Sequence, residues 1–215
     1  MIEKFKTDTL EALEIRISVN PVLNSFQHVV HQYNISYDLI ETFLHSMQMD
    51  LENIAYTTEE YDQYIFGSAE VVGLMCLYVF TEGNVEMYEE LKPFAMKLGA
   101  AFQKVNFLRD IKDDHCRLGR TYFPNVDVTE FTEQSKKRIE EEIARDFKIA
   151  LIGIKKLPSS SRRGVYLAYL NYRSLFKKIK RLTAGQILKE RVRINNGKKL
   201  RLMLGTLVQP EISWS

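Results

Sequence analysis

Cysteine is nearly absent from this chain: Cys76 and Cys116 are the 2 in 215 residues. Two thiols cannot build a disulfide scaffold, so a reducing, cytoplasmic setting is the expectation. Proline is also scarce, with 5 residues, and glycine has 10. That excludes collagen-like and Pro/Gly-rich disordered chains and leaves no linker-like stretch. No alternation of apolar and polar residues lasts long enough to build a sheet. The longest apolar run, Val71 to Phe80, is too short to span a bilayer and follows Glu70. Residues 1–14 mix acids and bases on an amphipathic pattern, which is no secretory signal. A Gly-rich dinucleotide fingerprint is missing too. So is a net charge of one sign, because the formal balance is only +2.

That near-neutrality hides a split. Up to Phe147 there are 14 Lys and Arg against 26 Asp and Glu, a balance of −12; from Lys148 onward 16 stand against 2, a balance of +14. An acidic part suits hard cations, and a basic part suits phosphates, anionic lipid or nucleic acid. A solvated surface explains part of both totals. With 45% hydrophobic and 27% charged residues, the composition is that of a globular protein with a sizeable core.

The apolar pattern is helical almost throughout. Val22, Phe26, Val29, Val30 and Tyr33 repeat at three and four after Asn20-Pro21, and Leu39, Ile40, Phe43, Leu44 and Met47 do so next. Thr57 with Glu60 reads as a capping box opening a helix that runs to about Phe80. The spacing predicts further helices over about 93–116, 132–154 and 162–182, with Pro93 in a first turn and 157–161 as an exit loop. We expect one all-α domain over 1–215.

The richest segment runs from Leu98 to Pro124. At 100° per residue, Gln103, Asn106, Asp110 and Asp114 fall within about 80° of one another on a helix, with Asp113 at the margin. Val105, Leu108 and Ile111 make the opposite, apolar face. Carboxylates one turn apart can share a hard cation such as Mg²⁺, which completes its shell with water and phosphate oxygens. Arg109 and Arg120 can clamp phosphate bidentately. An Asp pair at this spacing is often only a solvated face. Here amides continue the stripe for three turns, and it ends in a Gly-Arg turn with aromatics.

Gln103-x-x-Asn106-x-x-Arg109-Asp110-x-x-x-Asp114, followed by Gly119-Arg120-x-Tyr122-Phe123-Pro124, resembles the second aspartate-rich motif of the squalene/phytoene synthase family. Tyr64 to Met75, ending in Val-Gly-Leu-Met, is similar to that family's Tyr- and Gly-rich helix, and Met49-Asp50-Leu51 fits the pattern before it. Near the end, Tyr172-Arg-Ser-Leu-Phe and Arg191-Val-Arg193 with Lys198 and Lys199 resemble the C-terminal Tyr helix and basic segment. The order holds over nearly the whole chain, and the wording looks closest to bacterial phytoene synthases of carotenoid biosynthesis.

The resemblance implies an isoprenoid-synthase-type helical bundle and a head-to-head condensation of two prenyl diphosphates. Geranylgeranyl diphosphate would give phytoene; farnesyl diphosphate giving squalene or dehydrosqualene is the alternative product. It implies Mg²⁺, with Mn²⁺ as a substitute, held by Asp110 and Asp114 with Asp113 as a helper. Gln103 and Asn106 would position diphosphate and metal water. Tyr64 would face the reacting centre, orienting diphosphate or stabilising and relaying charge. Ser68, Val72 and Met75 would line the prenyl cavity, and Tyr172, Arg191 and Lys199 would close the diphosphate end. For these last two sets, plain core packing and surface charge are the competing readings.

Two departures stand out. Glu70 replaces a usually small residue, and a carboxylate there must be paired or face solvent. The family's first aspartate-rich motif has no match, since no second Asp-x-x-x-Asp lies upstream of residue 50. We therefore expect an N-terminally incomplete bundle. A non-catalytic assembly or interaction protein is the alternative of a different class. His28, His31, His45 and His115 lack metal spacing and receive no role. The basic end, with Trp214 the sole tryptophan, carries no nucleic-acid reading pattern. Peripheral attachment to an anionic membrane surface, on its cytoplasmic side, is the better use of that charge.

Overall fold

The computed structural model describes residues 1–52, 56–118, 122–124, 131–189 and 191–193. Arg120, Lys198, Lys199 and Trp214 lie outside the described residues. Local chemistry starts each helix. Asn20 accepts a hydrogen bond from the Val22 N–H at 3.0 Å and sets Pro21 at the first position of α2 (Pro21–Tyr33). Before it, α1 (Ile2–Ile15) ends on Arg16 in the left-handed region, with φ of 59°. After α3 (Tyr37–Glu52), the Thr57–Glu60 capping box forms as the spacing predicts and opens α4 (Thr58–Ile65). The chain then makes one π-helical turn (Phe66–Glu70) and continues into α5 (Val71–Phe80).

The next helix differs from expectation. Asn84 caps it by accepting from the Met87 N–H at 2.9 Å, so α6 (Val85–Leu118) begins before Pro93 and holds that proline inside. Its 34 residues span about 51 Å. Thr132 caps α7 (Glu133–Lys156). Next, α8 (Ser159–Lys180) starts within the segment expected to be an exit loop. The short α9 (Ala184–Ile187) has its own Thr183–Gln186 capping box. No strand occurs among the described residues.

The axis of the fold is α6, packed against the π turn, α5, α7 and α8. Ala100, Ala101, Val105 and Leu108 are wholly buried there, the inward face the sequence anticipates. Gly99 passes so close to the Ala69 carbonyl in the π turn that a Cβ would collide with it. Gly153 on α7 abuts Phe94 in the same way. These two glycines let the π turn and α7 each approach α6 closely. A second cluster joins α1 to α3 through Leu13, Val30, Ile40 and Leu44. Val22, expected in that stripe, is instead exposed.

Residues 58–80 form the one run among the described residues long and apolar enough to cross a membrane. It packs against α3 and α6 and carries Glu70, so we read it as a core helix. Glu70 is half-buried. Burial raises its pKa, against the pull of nearby Lys97 and Lys104. Those lysines belong to an ionic cluster between α6 and α7. Lys104, 5% exposed, donates to Asp146 at 2.8 Å and to Glu142, and Lys97 lies 3.8 Å from Asp146. The unusual carboxylate is thus half-buried near two lysines, with burial outweighing their attraction.

Candidate active site

The predicted polar wall is real and sits on the C-terminal half of α6. Gln103, Asn106, Asp110 and Asp114 are all half-buried, with Asp113 half-buried beside them. The Asn106 amide donates to Gln103 Oε1 at 3.4 Å, while its own Oδ1 is buried without a partner among the described residues. A buried, unused acceptor beside two carboxylates is a ready place for a donor or a cation.

Asp110 is the electrostatic centre of the wall. Arg109 Nε donates to its two oxygens at 3.0 and 3.1 Å, and Arg191 Nε reaches Oδ1 at 2.6 Å from beyond α9. The bond to Asp110 raises the Arg109 pKa, and Tyr172 and Asp114 add to the rise by proximity. Tyr172 itself stacks on Phe102, with centroids 3.9 Å apart and planes at 14°. The structure therefore brings Arg109, Asp110, Asp114, Tyr172 and Arg191 to one end of the wall, from α6, α8 and the segment after α9.

The donor set is of the right type for Mg²⁺. Asp110 and Asp114 are hard oxygen donors one turn apart, and half-burial leaves them reachable. Among the described residues no group of three or more His, Cys, Asp or Glu could hold a metal. Such a site relies on oxygens of a bound phosphate for the rest of its shell, which is how Mg²⁺ is ordinarily held. The two arginines on Asp110 offer a matching attraction for that phosphate.

Upstream on α6 the chemistry changes. A cavity of about 390 Å³ lies between α5, α6, α7 and α8. Val72, Phe94, Phe102, Ala150 and Val165 give it apolar walls, and Ser68 and Gln103 are its few polar groups. Gln103 belongs to both the cavity and the wall, so the apolar pocket reaches the first residue of the polar stripe that leads to the carboxylates.

Ser68 and Val72 line the cavity as expected, but Met75 does not. It packs on the α1–α3 cluster instead. The cavity face steps by four through Ser68, Val72, Cys76 and Phe80, and Met75 falls beside that row on the side of α5 that meets the α1–α3 cluster. Tyr64 also stays off the cavity surface. It is 4% exposed and stacks on Phe107, the residue after Asn106 on α6. Its hydroxyl donates to Asp50 Oδ2 at 3.0 Å, and the Tyr122 hydroxyl donates to Asp50 Oδ1 at 3.4 Å. Burial first, and then the Asp50 charge, push the Tyr64 pKa far up, so its phenol stays protonated. Tyr56 and Tyr122 complete the aromatic cluster around Tyr64, at 5.2 and 5.5 Å between centroids.

Asp50, Tyr56 and Tyr122 are the participants to which residue spacing gave no role. Asp50 precedes Tyr64 by 14 positions on another helix, so no helical period could join them. The signals available were Asp50 inside the Met-Asp-Leu pattern and Tyr122 in the tail of the aspartate-rich motif.

The sequence profile of the squalene/phytoene synthase family matches residues 2–198. The chain belongs to that family. It is 30% identical over 151 residues to the phytoene synthase of Pseudescherichia vulneris, across 70% of this chain and 46% of that protein. It is 31% identical over 120 residues to the 4,4'-diapophytoene synthase of Staphylococcus haemolyticus, across 55% of this chain and 38% of that protein. The chain thus spans less than half the length of these relatives. In fold, it superposes on a dehydrosqualene synthase solved in complex with ligand at a TM-score of 0.80 and 18% identity. That match covers 96% of this chain and 76% of the other. The all-α, isoprenoid-synthase-type architecture expected from the squalene/phytoene synthase motifs is therefore the one observed.

Proposed function

We propose that this chain carries the second metal wall and a prenyl cavity of a synthase that condenses two prenyl diphosphates head to head. One observation carries the reading. Along α6 an apolar cavity meets, at Gln103, a wall ending in Asp110 and Asp114 with Arg109 and Arg191 upon it. A diphosphate with a hydrocarbon tail has that same division of chemistry.

Asp110 and Asp114, with Asp113 beside them, would hold Mg²⁺ or Mn²⁺. The bound ion would neutralise charge on a departing diphosphate. Arg109 and Arg191 bind the diphosphate oxygens, exchanging part of their contact with Asp110 for the substrate. Tyr172, stacked on Phe102, closes this end. Asn106 and Gln103 orient the diphosphate end and any water there. The tail lies against Val72, Phe94 and Phe102, where water is excluded and an allylic cation survives until the second substrate's double bond attacks it. Relatives named for phytoene and for 4,4'-diapophytoene both match, so geranylgeranyl and farnesyl diphosphates are the two substrates to compare. Lys177, Lys178, Lys180 and Arg181 are exposed at the end of α8 and suit a peripheral, cytoplasmic attachment to an anionic membrane.

The test is incubation with each diphosphate and Mg²⁺, following pyrophosphate release and the polyene product. Turnover that disappears with EDTA and in Asp110→Ala is expected. Mg²⁺-dependent binding of a nonreactive prenyl thiodiphosphate that is the same in Asp110→Ala as in the parent, or an Asp110→Ala variant as active as the parent, refutes the reading.

A further inference from the structure

At the other end of α7 and α8 from the apolar cavity lies a second recess, of about 470 Å³. The start of α7 and the chain leading from α8 into α9 enclose it, and its walls are mostly charged. Lys136, Lys137, Lys180 and Arg181 supply the cations, and Glu133, Glu140 and Glu141 the acids. Two of the acids are engaged. Glu133 Oε1 accepts from the Ala184 N–H at 2.6 Å, and Glu140 accepts from Lys136, one turn before it. Lys137, Lys180, Arg181 and Glu141 are exposed, and alone they would be an ordinary solvated face.

Lys136 is of another kind. It is 3% exposed and Glu140 8%. Such side chains lie this deep only when paired, and an apolar pair of similar volume would hold the helices at least as well. Helix chemistry does not favour the arrangement either. Lysine before glutamate is the weaker order at this spacing. The lysine also stands one turn from the start of α7, where the macrodipole disfavours a cation. A negative charge in the recess would offset both costs. An ammonium has three donors, and among the described residues Glu140 is the acceptor that takes one.

We propose that this recess binds a phosphate group, with Lys136 as its buried anchor and Lys180 and Arg181 at its rim. The cations come from two helices on different sides of the recess. The several oxygens of a phosphate can serve them together, whereas the two oxygens of a carboxylate lie in one plane. Arg181 offers a planar fork to a pair of those oxygens, and Lys136 a point charge. A free inorganic phosphate and a phosphomonoester lipid headgroup share this chemistry. Lys177 and Lys178, exposed at the same end of α8, would meet the surface from which a headgroup is drawn. The site stands independently of the condensation reading.

Calorimetric titration of the full chain with inorganic phosphate measures the affinity, with EDTA present so that no metal draws the anion to Asp110. The decisive variant is the double Lys136→Met with Glu140→Leu. It removes one charge of each sign, so diffuse attraction to the surface is unchanged, and an apolar pair keeps the fold, which the melting curve verifies. Phosphate affinity is expected to fall about tenfold or more in this variant and in Arg181→Gln. Arg191→Gln, at the Asp110 wall, should leave it within about twofold of the parent. Vesicles of phosphatidylcholine carrying either phosphatidic acid or phosphatidylserine at equal surface charge separate the two sources. Tighter binding to phosphatidic acid, lost in the double variant, assigns the recess to a lipid headgroup. Equal binding to both vesicles, with inorganic phosphate bound as expected, assigns it to a soluble phosphate. Absence of saturable phosphate binding together with equal binding to both vesicles overturns the proposal. So does a phosphate affinity, or a preference for phosphatidic acid, that survives in the double variant.

Discussion

Replacing Lys104 by methionine should destabilise the protein by about 2–3 kcal/mol. Its side chain and that of Asp146 are each only 7% exposed, and they meet at 2.8 Å. Removing one partner of such a pair usually costs about 3–5 kcal/mol, since a buried charge is left uncompensated. Two features lower the figure here. Lys97 stands 3.8 Å from Asp146 and takes over part of the pairing. Glu142, the other partner of Lys104, is 42% exposed and falls back on water. Methionine keeps most of the stem's packing, so the loss is chiefly electrostatic. For a chain of this size, 2–3 kcal/mol lowers Tm by roughly 5–10 °C. Thermal and urea unfolding measure it, with an unchanged m-value as the sign that only stability moved. The double variant Lys104→Met with Asp146→Leu should regain most of the loss, because an apolar pair can replace an ion pair without penalty. The pH dependence has a definite sign. Burial lowers the Lys104 pKa, and the bonds to Asp146 and Glu142 outweigh it, so the net shift is upward from 10.5. A raised lysine contributes stability fully below its ordinary pKa and loses it as pH climbs past the folded value. The gap between parent and variant should therefore hold from neutral pH to about 10 and shrink above that. A Tm change under about 2 °C, or no recovery in the double variant, would refute the account of this cluster.

Two further outcomes follow from the same structure. Glu70→Gln should raise stability at neutral pH, because burial raises the carboxyl's pKa in the folded state and charging it there is disfavoured. The gain should fade as pH falls through the raised folded pKa and be gone below the ordinary 4.5, and a gain that grows with acid would contradict it. Ala168→Phe places a ring in the cavity between α5 and α8. Displacing two methylenes of a bound tail removes about 1.6 kcal/mol of burial, so a prenyl thiodiphosphate should bind roughly tenfold more weakly while inorganic pyrophosphate binds as before. Equal weakening of both ligands would show that the cavity is not where the tail lies.

Much of this protein was legible from its residues alone. Capping by Asn20, by Thr57 with Glu60 and by Thr132 is local chemistry within three residues, so these helix starts appear in the sequence as they do in space. The polar wall on α6 obeys one helical period, which placed Gln103, Asn106, Asp110 and Asp114 together without tertiary information. The apolar face of Val105, Leu108 and Ile111 did likewise.

What tertiary structure alone decided has a common cause: it depends on partners far apart in the chain or on backbone departures that tertiary packing imposes. The packing of α5 between α3 and α6 puts Cys76 on the cavity and Met75 on the α1–α3 cluster, although both are apolar neighbours in the sequence. Asn84 begins α6 although Pro93 looks like the start, since a long helix packed against α5, α7 and α8 tolerates one missing N–H. Arg191 comes to Asp110, Lys104 to Asp146 and Tyr64 to Asp50 only when helices pack. The sequence by itself determined which side chains share a helix face. The packing of helices decided which faces meet, and with that which carboxylate holds an arginine, which holds a lysine and which holds two tyrosines.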